Sequence, residues 1–295
     1  MRVSIFKILI PLVLVVLFEQ SCSKKPENFK TNRGEKVLMK TNALMHISYQ
    51  VTAQRNFDVN PATLGNLDLS EINPRNERQN VSLELLPDGQ INMTIESLDW
   101  DKKTVIPHHV LPNPEPQIKK TVITHNTAYF YDKNGQLLAT EHIDLPNLVK
   151  LANQIKEIGD NYTAEQINKV ISTLQGQSLA AHWDEYIQNA AENNVQITDR
   201  GNGLITVSVP FGNIEPGMEE TAVLLVDKIR NKLLGFRIYD TSNNLLQSVL
   251  FAYNKGDIEY LKAIRVVQPF RLPSGNTINM ITLYKIDNFH IELNI

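Results

Sequence analysis

The chain carries a single cysteine, Cys22, in 295 residues. That excludes an internal disulfide framework and any zinc site built on paired cysteines, so packing alone must hold the fold. An excess of charge of either sign is also missing: 29 Lys and Arg stand against 32 Asp and Glu, a net charge of −3. A nucleic-acid binder needs a basic face to displace counterions from phosphates, so no nucleic-acid partner is expected. Long apolar runs are absent as well. The longest, ILIPLVLVVLF from Ile8 to Phe18, has eleven residues and is interrupted by Pro11. As a helix it rises about 16 Å, roughly half the hydrocarbon thickness of a bilayer, which is too short for a stable span. There is no GxSxG elbow, no HExxH, no Walker loop and no GxGxxG, so no catalytic signature, metal or cofactor is implied.

What is present begins at the N-terminus. Arg2 and Lys7 precede the apolar run, and small residues follow it in FEQSCSKK, Phe18 to Lys25. A basic start, a short apolar core and small residues after it read as an export signal over residues 1–21. Ser21-Cys22 resembles the end of the bacterial lipoprotein signal, in which a small residue precedes a cysteine that becomes the lipidated N-terminus. Gln20 and Glu19 depart from that pattern, which places a small residue and an aliphatic there. The resemblance implies that Cys22 is the lipid-attachment residue, that palmitate-type acyl chains tie the mature chain to a membrane, and that it belongs to the bacterial cell envelope, on the outer membrane. Two other readings stay open. Ser21 and Ser23 also satisfy ordinary signal cleavage, which would discard Cys22 and start the mature chain at Lys24, or Cys22 is a stray cysteine within a signal.

The segment from Cys22 to Glu35 is polar and charged, unable to bury enough apolar area to order itself, and reads as a tether. Lys36 to Ile295 reads as one body. ALMHISYQV, from Ala43 to Val51, alternates apolar and polar residues, as a half-buried strand does. Gln54 to Asn80 is expected as a connection, followed by VSLELL and INMTIESL flanking an Asp88-Gly89 turn. Asp99 to Lys120 is expected as a loop, broken by four prolines. Strands resume at TVITHNTAYFY.

The middle of the chain changes period. Leu148, Val149, Leu151, Ala152, Ile155 and Ile158 recur at helical spacing, with Gly159 as a stop. Thr163-Ala164-Glu165-Gln166 reads as a capping box opening a second stripe of Ile167, Val170, Ile171 and Leu174. A third stripe holds Leu179, Trp183, Tyr186, Ile187 and Ala190. The helical insert covers about 145–194, and from Val195 onward strand patterns return. YDKNGQLL at Tyr131 and YDTSNNLL at Tyr239 share Tyr-Asp, a polar turn and Leu-Leu at an offset of 108 residues. Both are expected as hairpin tips. The echo reads either as duplication or as the likeness of any two good turns.

These elements predict an α+β fold: a curved, mainly antiparallel sheet, or a half-barrel, with about three mid-chain helices packed on one face. The hairpin at YDTSNNLL, then Phe251-Ala252-Tyr253, then PFRLPSGNTINM from Pro269 to Met280, resemble the lipoprotein-localisation carrier and receptor fold over about a quarter of the chain. That family holds acyl chains in the concave side of an open half-barrel under a helical lid. It has a helix before its first strands where this chain has a linker, so no ligand residue is carried over.

Candidate chemistry is sparse. His108-His109 point to opposite sides of an extended chain and read as a solvated loop. Asp99-Trp100-Asp101 lacks the glycine and distal glutamate of a calcium loop. His182, Asp184 and Glu185 read as the wet face of a helix, and Trp183 and Tyr186 as its core. Three functions remain: a non-catalytic envelope lipoprotein binding an apolar or amphiphilic, lipid-like ligand; an interaction module with an envelope-protein partner; or an enzyme without a recognisable motif. The first is the expectation. A cavity lined by aliphatic side chains would favour it, and convergent titratable groups in a cleft would favour the enzyme.

Overall fold

A period of two governs most of the structure, a computed structural model that describes residues 42–58, 75–98, 118–143, 145, 147–158, 162–174, 195–211, 220–230, 232–271 and 277–294. In β1 (Met45–Asp58), Met45, Ile47, Tyr49, Val51 and Ala53 are buried and the polar residues between them are not. Alternate side chains of a strand share a face, so this pattern commits one face to a core. β2 (Arg75–Leu85) and β3 (Ile91–Ser97) continue it: Val81, Leu83 and Leu85 stand opposite Ile95, Met93 and Ile91, all buried.

Turn chemistry then sets the meander. Between β2 and β3, Gly89 takes a φ of +80°, and its amide donates to the Leu86 carbonyl at 2.9 Å. A side chain there would also strike the start of the first helix, since its Cβ would lie 2.3 Å from the Val149 nitrogen. β4 (Lys120–Thr124) and β5 (Thr127–Tyr131) join through His125 and Asn126, both left-handed. β6 (Leu137–His142) follows β5. Beyond the helices come β7 (Gln196–Gly201), β8 (Leu204–Phe211), β9 (Glu220–Asp227), β10 (Lys232–Tyr239), β11 (Leu245–Tyr253), β12 (Leu261–Arg271) and β13 (Thr277–Leu293). The order is β6-β5-β4-β3-β2-β1-β13-β12-β11-β10-β9-β8-β7, one thirteen-stranded antiparallel sheet. The chain divides into two compact units: Leu69–Val170 belongs to one with the first part of β1 and the last part of β13, and Ile171–Tyr284 to the other.

Two helices complete the described residues, α1 (Val149–Ile158) and α2 (Ala164–Leu174), of 10 and 11 residues. Asn147 caps α1 by accepting from the Val149 amide at 2.9 Å. The capping box of α2 is present: the Gln166 amide donates to Thr163 Oγ1 at 3.3 Å, and the Thr163 amide to Gln166 Oε1 at 2.8 Å. Leu151, Ala152 and Ile155 on α1, and Ile167, Val170, Ile171 and Leu174 on α2, are buried as their stripes predict, whereas Val149, in the first turn of α1, is 42% exposed and does not belong to the buried face.

The expected fold class needs correction. The described residues form mostly one antiparallel sheet with two short helices, not an α+β body with about three helices packed on one face. The third stripe, including Trp183, lies outside the described residues. Strands also reach into stretches expected as connections, because β1 runs to Asp58 and β2 starts at Arg75. Ladder pairing extends a strand through polar residues such as Arg78 and Asn80, whose side chains are exposed there and need no apolar partner.

Candidate functional site

Strands β7 to β11, all within the Ile171–Tyr284 unit, bury one face and leave the other partly open. The buried face is apolar: Ile205 and Val207 on β8 stand opposite Val226 and Leu224 on β9, all buried, and Leu224 stands opposite the half-buried Phe236 on β10. The other face therefore carries the residues between them. Register sets them in rows across the sheet. One row runs Gln196, Ser208, Val223, Arg237. The next runs Thr198, Thr206, Leu225, Gly235, Leu250.

These rows line a hollow of about 650 Å³ that opens to solvent. Its volume falls within the roughly 300–1,000 Å³ typical of small-molecule sites. Val223, Leu225 and Leu250 supply its apolar side chains, and hydroxyls come from Thr198, Thr206, Ser208 and Thr221. Gly235 helps make it. A Cβ at that position would come within 2.4 Å of the Val249 carbonyl oxygen, so only glycine fits between Leu225 and Leu250 without moving a strand. Leu250 is 41% exposed, an unusual degree for a leucine within a sheet.

Polar chemistry around the hollow is simple. Arg200 donates from Nε to Thr206 Oγ1 at 3.3 Å. At one margin the β10–β11 turn is locked by Asp240, whose Oδ1 accepts from the amides of Ser242 at 2.9 Å and Asn244 at 2.7 Å. Bonds from the Asn244 side chain first, then from these amides, hold the Asp240 carboxyl below its ordinary range. The β5–β6 turn is built the same way: Asp132 Oδ1 accepts from Asn134 and Gln136 amides, both at 2.8 Å. Both stretches that echo each other in sequence are thus hairpin tips, with left-handed Gly135 and Asn243 at corresponding places.

Buried polar groups elsewhere are structural. Lys232, 7% exposed, pairs with Glu259 and lies 4.8 Å from the centre of the Tyr253 ring, which fastens the β11–β12 connection to β10. Thr124 donates to Asn92 Oδ1 at 2.7 Å, and both are buried. Tyr49 stacks on Phe289 with ring centres 6.4 Å apart, and burial pushes its hydroxyl pKa upward. Among the described residues there is no group of three or more His, Cys, Asp or Glu that could hold a metal ion. None of these groups is a convergent acid and base facing the hollow.

Most of the site residues singled out by sequence fall elsewhere. Cys22, Asp99, Trp100, Asp101, His108, His109, His182, Trp183, Asp184, Glu185 and Tyr186 lie outside the described residues. The hollow's own residues were not singled out, because Thr206, Ser208 and Arg237 look like the solvent side of ordinary strands. Only the register brings them together.

No protein-family model matches the chain. No curated protein matches it either. It is similar to solved structures in which identity is 8–10%. One is a Vibrio parahaemolyticus domain named for outer membrane lipoprotein sorting, at 8% identity and a TM-score of 0.41, covering 85% of this chain and 86% of that one. Another is a DUF1329 family protein from Desulfovibrio piger, at 10% identity and a TM-score of 0.41, covering 86% and 88%. A third is a LolA superfamily protein from Nitrosomonas europaea, at 8% identity and a TM-score of 0.37, covering 85% and 86%. Likeness at this level sets no function.

Proposed function

We propose that this chain is a non-catalytic envelope lipoprotein that binds an apolar or amphiphilic, lipid-like molecule against the open face of β7–β11. The observation that carries the reading is the 650 Å³ hollow, in which Val223, Leu225 and Leu250 on β9 and β11 lie beside the hydroxyls of Thr198, Thr206 and Ser208 on β7 and β8. An amphiphile meets that arrangement with its apolar part on Val223, Leu225 and Leu250 and its polar part toward the hydroxyls of β7 and β8. Removing apolar surface from water supplies the driving force, about 25 cal/mol per Å². An enzyme would need titratable groups converging on the ligand, and the lining offers only arginines and one tyrosine among ionisable side chains.

A fluorescent apolar probe such as 1-N-phenylnaphthylamine tests the reading. Its emission should rise on binding, and the paired change Leu225→Gln with Leu250→Gln should weaken it roughly tenfold or more, since a leucine's burial contributes up to about 1.5–3 kcal/mol. Unchanged probe binding in a variant with native circular dichroism would move the ligand away from this face.

The anchor belongs to the same proposal. Cys22 as the lipidated N-terminus would hold the binding body at the membrane through acyl chains that each bury about 0.8 kcal/mol per CH₂. Cys22→Ala should then shift the protein from the membrane to the soluble fraction. A mature wild-type chain that begins at an unmodified Lys24 would refute the anchor.

A further inference from the structure

The charges around the β7–β11 hollow point to a class of head group. We propose that the hollow takes an amphiphile whose head is anionic, a phosphate or a carboxylate, held by the guanidinium groups of Arg200 and Arg237. This rests on the binding reading above and adds the head-group chemistry to it.

Fifteen described residues line the hollow, and they include two arginines but no Asp, Glu or Lys. The lining is therefore cationic in a chain whose net charge is −3. Nearby carboxylates are committed elsewhere. Asp199 stands between Thr198 and Arg200 on β7, so it projects to the other face, and its Oδ1 accepts from the Gly201 amide at 2.7 Å. Asp227 Oδ1 accepts from the Arg230 amide at 3.0 Å. Asp240 Oδ1 accepts from two backbone amides of its own turn, and its Oδ2 from the Asn244 side chain at 2.9 Å.

Both cations remain available. Among the described residues, the Arg237 side chain has no ion-pair or hydrogen-bond partner, and the Arg200 side chain gives only its Nε to Thr206. A guanidinium without a partner is a planar fork matched to carboxylate or phosphate oxygens. Placement fits an amphiphile as well. Arg237 shares its row with Val223, Ser208 and Gln196, the last two supplying further polar groups, while Leu225 and Leu250 lie in the next row, one pleat away, about 7 Å along the strands. A ligand laid on the leucines reaches an arginine with its head.

The test compares three amphiphiles of equal chain length, octyl phosphate, octanoate and octyl glucoside, by calorimetry. The full-length protein is held in phosphatidylcholine nanodiscs, with empty nanodiscs as the blank. At low salt the two anions should bind about tenfold tighter than the neutral glucoside, the scale of one screened charge-assisted hydrogen bond. The double variant Arg200→Gln with Arg237→Gln should bring the three to parity, chiefly by weakening the two anions. Both positions are exposed, so the fold should persist. Tighter binding of octyl phosphate than octanoate assigns the head to the phosphate class, and the reverse order to the carboxylates; either supports the proposal. Equal binding of all three by the wild type overturns the head-group assignment and leaves the binding reading standing. Displacement of octyl phosphate by equimolar inorganic phosphate also overturns it, because the site would then be a plain anion site. If none of the three binds, the binding reading and this inference fall together.

Discussion

Gly235→Ala perturbs the sheet where the hollow and the β10–β11 ladder meet, and its cost follows from one distance. The new Cβ would lie 2.4 Å from the Val249 carbonyl oxygen, about 1 Å short of the 3.4 Å at which ordinary contact begins. It would also stand 3.0 Å from Leu250 Cδ2. The leucine side chain is exposed and can turn away. The carbonyl cannot, because Val249 is paired with Phe236 on one side and Val266 on the other. Relief therefore requires β10 and β11 to separate locally. Overpacking of this kind costs about 1–3 kcal/mol, and a weakened ladder bond about 0.5–1.5 kcal/mol. Against this, Ala lowers the entropy of the unfolded chain and recovers about 0.4–1 kcal/mol. The net expectation is a destabilisation of about 1–3 kcal/mol. In a urea titration followed by circular dichroism, that corresponds to a midpoint lower by about 1 M, with an m-value of about 1–3 kcal/mol/M. Hydrogen exchange should place the loss at β10 and β11 amides. A Gly235→Ala protein as stable as the wild type, or more so, would refute the argument from close approach.

Other expectations are simpler. Ile171 on α2 is 2% exposed, so Ile171→Ala should destabilise by about 2–5 kcal/mol, and an unchanged melting temperature would show that the stripe faces no core. The Asp240 carboxyl is held below its ordinary value of 3.8 by Asn244 and the turn amides. A lowered folded-state pKa stabilises the hairpin above the unfolded value and is lost as pH falls through the folded one. NMR shifts of the Ser242 and Asn244 amides should therefore stay constant from neutral pH down to about pH 4 and move only below it. A transition between pH 5 and 7 would contradict the bonding described.

Local chemistry was legible in the sequence to the degree that neighbouring residues supply it. The Thr163 to Gln166 capping box, the Asp88-Gly89 turn and the two Tyr-Asp hairpins each close within a few residues, and each forms as expected. Period-two strands were equally plain from Ala43 to Val51 and in AVLLVDKI. What sequence order hid was extent and register. His125-Asn126 divides TVITHNTAYFY into two strands because both residues adopt left-handed backbone, and only the asparagine hints at it. The polar ends of β1 and β2 read as connection, yet ladder partners keep them extended. The hollow was out of reach for the same reason. Arg200 and Arg237 are thirty-seven positions apart, and pairing across β7 to β10 alone puts them on one face.

Photolabelling reports whether the open face of β7–β11 holds an apolar or amphiphilic ligand. A fatty acid bearing a diazirine near its methyl end, irradiated with the full-length protein and followed by peptide mass spectrometry, reports where the apolar part rests. Adducts are expected on the peptides carrying Val223, Leu225 and Leu250, competed by unlabelled acid and lost in the Leu225→Gln with Leu250→Gln variant. Adducts confined to other strands, or labelling that this variant leaves intact, would place the ligand elsewhere and overturn the assignment of this face.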